Sequence, residues 1–146
     1  MTSTGVGYSG TPLARKLGIR EGMTVARVDP PEDLDAMLAP LPGDVISRDG
    51  LRGRPDIVLL FVTRRSAFRR RLAPAGRAIF PAGAIWVCWP KRSSGVSTDM
   101  TEDAVRELAL PSGLVDNKVC AVDDTWSGLR IVWRREHRDG DMPPTG

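Results

Sequence analysis

The stretch DIVLLFV, residues 56–62, decides the fold. It is an uninterrupted apolar run behind one aspartate, preceded by Arg54-Pro55 and followed by Thr63-Arg64-Arg65. Its length suits a strand, and a strand that is apolar on both faces must be covered on both. That is the pattern of a parallel sheet layered between helices. A second run of the same kind, GAIWVCW, occupies residues 83–89.

Working outward, the segments between such runs carry helix signals. Thr11 and Pro12 make a hydroxyl cap followed by a proline at the first helical position, and Leu13, Leu17 and Ile19 supply a short apolar stripe. MTVARV, residues 23–28, reads as a strand, and VDPPEDLDAML restarts a helix with acidic residues in its first turn, where the helix dipole favours them. DVISR, residues 44–48, is a weak short strand, and residues 66–73 form a helix with Phe68 and Leu72 on one face and arginines on the other. Thr101 caps a further helix, TEDAVRELAL, which Pro111 and Gly113 end. NKVCAVD (residues 117–123) and GLRIVWR (residues 128–134) are two closing strands joined by DTWS, too short for a crossover helix, so they form an antiparallel hairpin. Trp86 and Trp89 are three positions apart in a strand and therefore face opposite sides as core residues.

This order predicts a single α/β, three-layer Rossmann-like domain, with a mostly parallel sheet closed by a C-terminal antiparallel hairpin. Such a closing hairpin resembles the methyltransferase variant of the Rossmann fold. The domain spans residues 11–134, with residues 1–10 a flexible arm and residues 135–146, which lack periodicity, a disordered tail. In such sheets ligands bind beyond the carboxyl ends of the strands. The segments to inspect are thus VDPP, TRR, PKRSSGVSTD and DDTWS, and the glycine arm before the first helix is expected to return to the same rim.

Composition fits one soluble domain. The chain has 146 residues, 41% apolar and 27% charged, with a net charge of +3, so it is not an overall polycation. Neither a membrane-spanning run nor a signal-peptide pattern is visible, which points to the cytoplasm and away from a membrane. Cys88 and Cys120 lie in apolar runs as two reduced core thiols, and His137 stands in the polar tail. No metal site and no Ser/His or Cys/His triad follows from that set.

The usual site for S-adenosylmethionine needs glycines in the turn after the first strand, so that the backbone can approach the cofactor. Here that turn is VDPPED, with two prolines and no glycine, which disfavours that binding mode and leaves the cofactor undefined. The literal G-x-G-x-x-G of Gly5 to Gly10 lacks a preceding strand. The amides of Gly10 and Thr11 remain able to hold an anion at the helix start.

Trp89-Pro90-Lys91, Ser94-Gly95-Val96, Thr98-Asp99-Met100-Thr101, Gly113-Leu114-Val115-Asp116, Lys118-Val119-Cys120 and Trp126-Ser127-Gly128-Leu129 together resemble an uncharacterised bacterial domain family of small Rossmann-like proteins. Gly7-Tyr8-Ser9-Gly10-Thr11-Pro12-Leu13 and Val58-Leu59-Leu60-Phe61-Val62 fit it too, so the resemblance covers roughly residues 7–133. It implies the fold and carries no activity to transfer.

The candidate ligand-binding residues are Gly10, Thr11, Lys91, Ser94, Thr98, Asp99, Asp124 and Trp126. A lysine with hydroxyls suits a phosphate or carboxylate, and Trp126 offers a stacking face beside Asp123 and Asp124. Each has a plainer use, as a solvated loop, a turn or a cover for the sheet end. No catalytic acid, base or nucleophile can be assigned. The favoured expectation is a non-catalytic binding or scaffold domain engaging a protein partner or a small anionic ligand at the rim. The alternatives are a small transferase with a divergent nucleotide-like cofactor site, and a nucleic-acid accessory protein using the arginines at 64, 65, 69, 70, 71 and 77. The last is the least favoured, because a solvated helix face explains those arginines.

Overall fold

The computed structural model of the protein describes residues 11–140 and Pro143. The expected arm at residues 1–10, and Gly10 with it, lies outside the described residues.

Six strands form one sheet: β1 (Thr24–Val28), β2 (Ile46–Asp49), β3 (Ile57–Phe61), β4 (Ala84–Pro90), β5 (Leu114–Ala121) and β6 (Trp126–Trp133). Their order is β2-β1-β3-β4-β6-β5. The first four pair in parallel, while β6 runs antiparallel to both β4 and β5. β3 and β4 are buried along their whole length, as their apolar runs require. Helices α1 (Leu13–Lys16) and α2 (Leu34–Leu38) cover one face, packing Ala14, Leu17 and Leu34 on Leu59, Trp86 and Cys88. Helices α3 (Arg65–Ile79) and α4 (Glu102–Ala109) cover the other, packing Phe68, Leu72 and Val105 on Val58, Val87 and Trp89. Trp86 and Trp89 thus point to opposite faces. The fold is the mixed α/β sheet with a closing antiparallel hairpin that the element order predicts.

The structure corrects the reading in four places. The helix expected to stop at Ala73 runs on as α3 through Pro74 to Ile79. An interior proline costs roughly 3 kcal/mol, but here the extra turns bury Ala75, Gly76 and Ile79, and Trp133 Nε1 donates to the Gly76 carbonyl at 2.9 Å. A Cβ on Gly76 would stand 3.0 Å from the Trp133 ring, so the absent side chain is what admits the indole. The first hairpin strand begins at Leu114, which is buried, and not at Asn117. Trp126 belongs to β6, paired with Pro90, and not to the turn. Finally, Arg135–Arg138, assigned from sequence to a disordered tail, is a short helix, α5, lying against β6 through the Trp133 and His137 rings at 6.1 Å.

No helix among the described residues is long and apolar enough to cross a membrane.

Candidate functional site

Two edges of the sheet differ in how their polar groups are used. At the rim beyond the carboxyl ends of β1, β3 and β4, side chains bind one another. Asp29 follows β1 at φ 51°, a backbone conformation that favours glycine, and its carboxylate pairs with Arg71 at 2.9 Å. Pro30 and Pro31 then occupy the turn. Arg27 of β1 forks onto Asp49 at the end of β2, at 3.1 and 3.0 Å, and also pairs with Asp35 of α2.

The loop after β4 is fastened to the turn after β3. Thr98 Oγ1 donates to the Thr63 carbonyl at 2.7 Å and accepts from the Met100 amide at 3.0 Å. Asp99 Oδ1 accepts from the Arg65 amide at 2.7 Å, capping the start of α3, while its carbonyl accepts from Arg65 Nε at 2.8 Å. Arg64 Nη2 donates to Ser97 Oγ at 3.0 Å. Ser94 Oγ donates to the Lys91 carbonyl at 2.7 Å and accepts from the Val96 amide, closing the turn that Gly95 completes at φ 80°.

Among the residues singled out from sequence, the structure therefore brings Lys91, Ser94, Thr98 and Asp99 into one loop. The Lys91 amide ties this loop to the hairpin by donating to the Thr125 carbonyl at 2.7 Å. Ser94, Thr98 and Asp99 already serve as loop and cap bonds. Asp123 Oδ1 accepts from the Thr125 and Trp126 amides at 2.9 and 2.7 Å, leaving Asp124 exposed at the tip. Trp126 is half-buried, its ring edge-on to Phe61 with centroids 5.0 Å apart. The start of α1 does not join this rim. Pro12, the neighbour of Thr11, lines a cleft at the opposite edge together with the end of α1, because a helix of four residues, about 6 Å long, is too short to span from one end of the strands to the other.

That cleft, about 1210 Å³, opens at the amino ends of the parallel strands, where Met23 precedes β1, Asp56 precedes β3 and Gly83 precedes β4. Arg15, Lys16, Arg20, Arg54, Lys118 and Arg130 line it, against the carboxylates of Glu21 and Asp56 only. None of the six cations forms an ion pair among the described residues. Lys118 and Arg130 are direct cross-strand partners, next to Trp86 in the same row. Trp86 Nε1 donates to the Leu17 carbonyl at 2.9 Å and Lys118 Nζ to the Lys16 carbonyl at 3.3 Å, so the end of α1 is anchored above that row. Burial chiefly, then Arg138 and Arg20, pulls the Arg130 guanidinium below its ordinary pKa. Sequence reasoning missed this set because its members lie up to 115 positions apart; the available signal was the hairpin register, which sets Lys118 opposite Arg130.

The cysteines are not poised nucleophiles. Burial, reinforced by Cys120 and Asp123, pushes the Cys88 thiol far up. Cys120 is raised by partial burial, with Lys16, Lys118 and Lys91 opposing the shift. Of the arginine helix, Arg64, Arg65 and Arg71 hold the rim together, while Arg69, Arg70 and Arg77 face solvent.

No known family model and no curated protein sequence matches the chain. Solved structures do. A proposed type 11 methyltransferase from Sulfolobus solfataricus superposes with a TM-score of 0.62 at 12% identity, over 90% of this chain and 95% of that one. A SAM-dependent methyltransferase from Aquifex aeolicus gives 0.51 at 14% identity, over 82% and 86%. An O-methyltransferase of neocarzinostatin biosynthesis gives 0.53 at 12% identity, over 77% of this chain, which spans only about half (49%) of that protein. At these identities the likeness concerns architecture alone. With its sheet order, its closing hairpin and these neighbours, the chain has a methyltransferase-like Rossmann fold.

Proposed function

We propose that the protein is a non-catalytic binding domain on a methyltransferase-like scaffold, which presents its strand-end rim to a partner protein or a small anionic ligand. The turn after β1 carries this reading: Asp29 is held at φ 51° by Arg71 and followed by two prolines. A nucleotide-like cofactor at such a turn needs close backbone approach and free amide donors, and proline rings remove both. The nearby carboxylate at the end of β2, Asp49, is already forked by Arg27. The rim residues thus do not fit S-adenosylmethionine in the usual mode, and no methyl-transfer step is derived. What the rim still offers outward is the Lys91 ammonium, the Asp124 carboxylate and the half-buried face of Trp126, on loops fixed by Thr98, Asp99 and Ser94. Pre-ordered charges and an aromatic face suit recognition.

The second reading, a small transferase with a divergent cofactor site, rests on the likeness to methyltransferase structures along nearly the whole of the Sulfolobus protein. Thermal unfolding with millimolar S-adenosylmethionine or S-adenosylhomocysteine separates the two. The binding-domain reading expects no shift. A ligand at about 100 times its Kd adds about 2.7 kcal/mol, so a rise of several degrees would favour the transferase. For the rim itself, titration with pyrophosphate should move the Trp126 indole and Lys91 amide resonances saturably, and Lys91→Ala should abolish the effect. Resonances unmoved by pyrophosphate would exclude a small phosphate there.

A further inference from the structure

The basic cleft at the amino ends of the strands lies on the opposite edge from the rim, and its reading does not depend on that of the rim. Six cations against two carboxylates leave a surplus of four charges in a chain whose net charge is +3, so the rest of the molecule is close to neutral. The cleft concentrates the protein's positive charge. Elsewhere Arg27, Arg71 and Arg106 each meet one or more carboxylates. Among the described residues none of the six cleft cations does. Lys118 and Arg130 stand directly opposite each other on β5 and β6, an arrangement that costs stability because like charges face across the ladder. The half-buried Arg130 lies between Lys118 and the fully buried Trp86, beside the anchored end of α1. Asp56, one of the two carboxylates, accepts from the Thr24 amide at 2.8 Å and is oriented toward β1. Repulsion retained in this way is relieved when an anion enters.

The shape and lining narrow the class of anion. At about 1210 Å³ the cleft exceeds the roughly 300–1,000 Å³ of sites that enclose one small molecule, and the cations are distributed over α1, the loop before β1, the loop before β3, and the hairpin. They suit charges repeated along a chain. Five of the lining residues are prolines, at positions 12, 40, 42, 55 and 81, which have no amide to donate to a peptide backbone. Their rings and the Phe80 side chain instead supply flat apolar surface between the charges. Four of the six cations are arginines, whose planar forks match phosphate. We infer that this cleft binds the phosphate backbone of a single-stranded nucleic acid, without base-specific readout, through Arg15, Lys16, Arg20, Arg54, Lys118 and Arg130. The surface used is thus not the arginine-rich α3 helix, where Arg65 and Arg71, with Arg64 just before it, are engaged at the rim.

Fluorescence anisotropy of 5′-labelled dT20 with the full chain tests this. Four net phosphate contacts give a slope of about −2.8 in log K against log salt, or about a 50-fold loss of affinity between 50 and 200 mM NaCl. Lys118→Glu is the decisive variant. It turns the repulsive cross-strand pair into an attractive one, so the unfolding midpoint should hold or rise while affinity for dT20 falls at least tenfold. Arg54→Ala, in an exposed loop, should flatten the slope by about 0.7. Arg69→Ala/Arg70→Ala on α3 should leave binding as in the wild type. Absence of dT20 binding at 50 mM NaCl, or wild-type binding by Lys118→Glu, overturns the inference. So does loss of binding confined to the α3 variant, which transfers the site to that helix. Displacement of dT20 by poly-L-glutamate at equal charge concentration would overturn it in favour of an acidic protein partner.

Discussion

The two edges of the sheet are built from similar residue types and put them to opposite uses. At the carboxyl-end rim four arginines have a carboxylate, hydroxyl or carbonyl: Arg27 with Asp49 and Asp35, Arg71 with Asp29, Arg65 with Asp99 and Arg64 with Ser97. At the amino-end cleft six cations stand against two carboxylates, Glu21 and Asp56, and none of the six forms an ion pair among the described residues. Fold position alone marks the first edge as the ligand site, because nucleotide-binding α/β sheets use it. Charge pairing marks the second. A fold can thus keep the outline of a strand-end rim while its polar residues hold loops, and a cluster of like charge can stand at the other end of the same strands.

The comparison can be broken first at Trp86, the floor of the cleft. Trp86→Ala removes a fully buried ring and the bond that anchors the end of α1. We expect a loss of about 3–5 kcal/mol in urea unfolding, with the rim loops unchanged by amide exchange relative to global stability. Rim amides that lost protection before global unfolding would show that the two edges are not independent.

A smaller effect is expected at Asp99. If this carboxylate is chiefly a cap for α3, Asp99→Ala should cost about 1 kcal/mol and Asp99→Asn much less, since an amide oxygen still accepts from Arg65. Equal stability of Asp99→Ala and wild type would free this residue for a ligand and restore the rim as a reactive site.

The smallest effect concerns Cys88, midway between the edges in the row that leads through Gly128 to Cys120. Its thiol is held protonated in the folded state by burial, so the unfolded chain loses that proton first as pH rises. Stability from this group is complete below the ordinary thiol pKa and declines above it, by about half a kcal/mol at pH 9. The stability difference between wild type and Cys88→Ala should narrow by that amount between pH 7 and 9. A constant difference would mean the thiol is solvated.

Much of the architecture was legible because it rests on local pattern. The doubly apolar runs of β3 and β4, the cap at Thr101 and the short turn between β5 and β6 each required one structure irrespective of neighbours. What was misread depended on contacts distant in sequence. Pro74 normally ends a helix, and α3 continues only because Ile79 and Gly76 meet the core and Trp133. Arg135–Arg138 has no apolar period, and its helix lies against Trp133 through His137.

The same division holds for the candidate sites. Residue order alone specified a methyltransferase-like sheet and a stiff Pro-Pro turn where a cofactor would need glycine, since apolar periodicity and proline geometry are properties of short segments. Only the tertiary structure decided that Thr98 and Asp99 fasten a loop, that Asp29 and Asp49 already have arginines, and that Arg15, Lys16, Arg20, Arg54, Lys118 and Arg130 share one cleft. Electrostatic pairing acts through space over a few ångströms, and in this chain those partners are separated by as many as 115 residues.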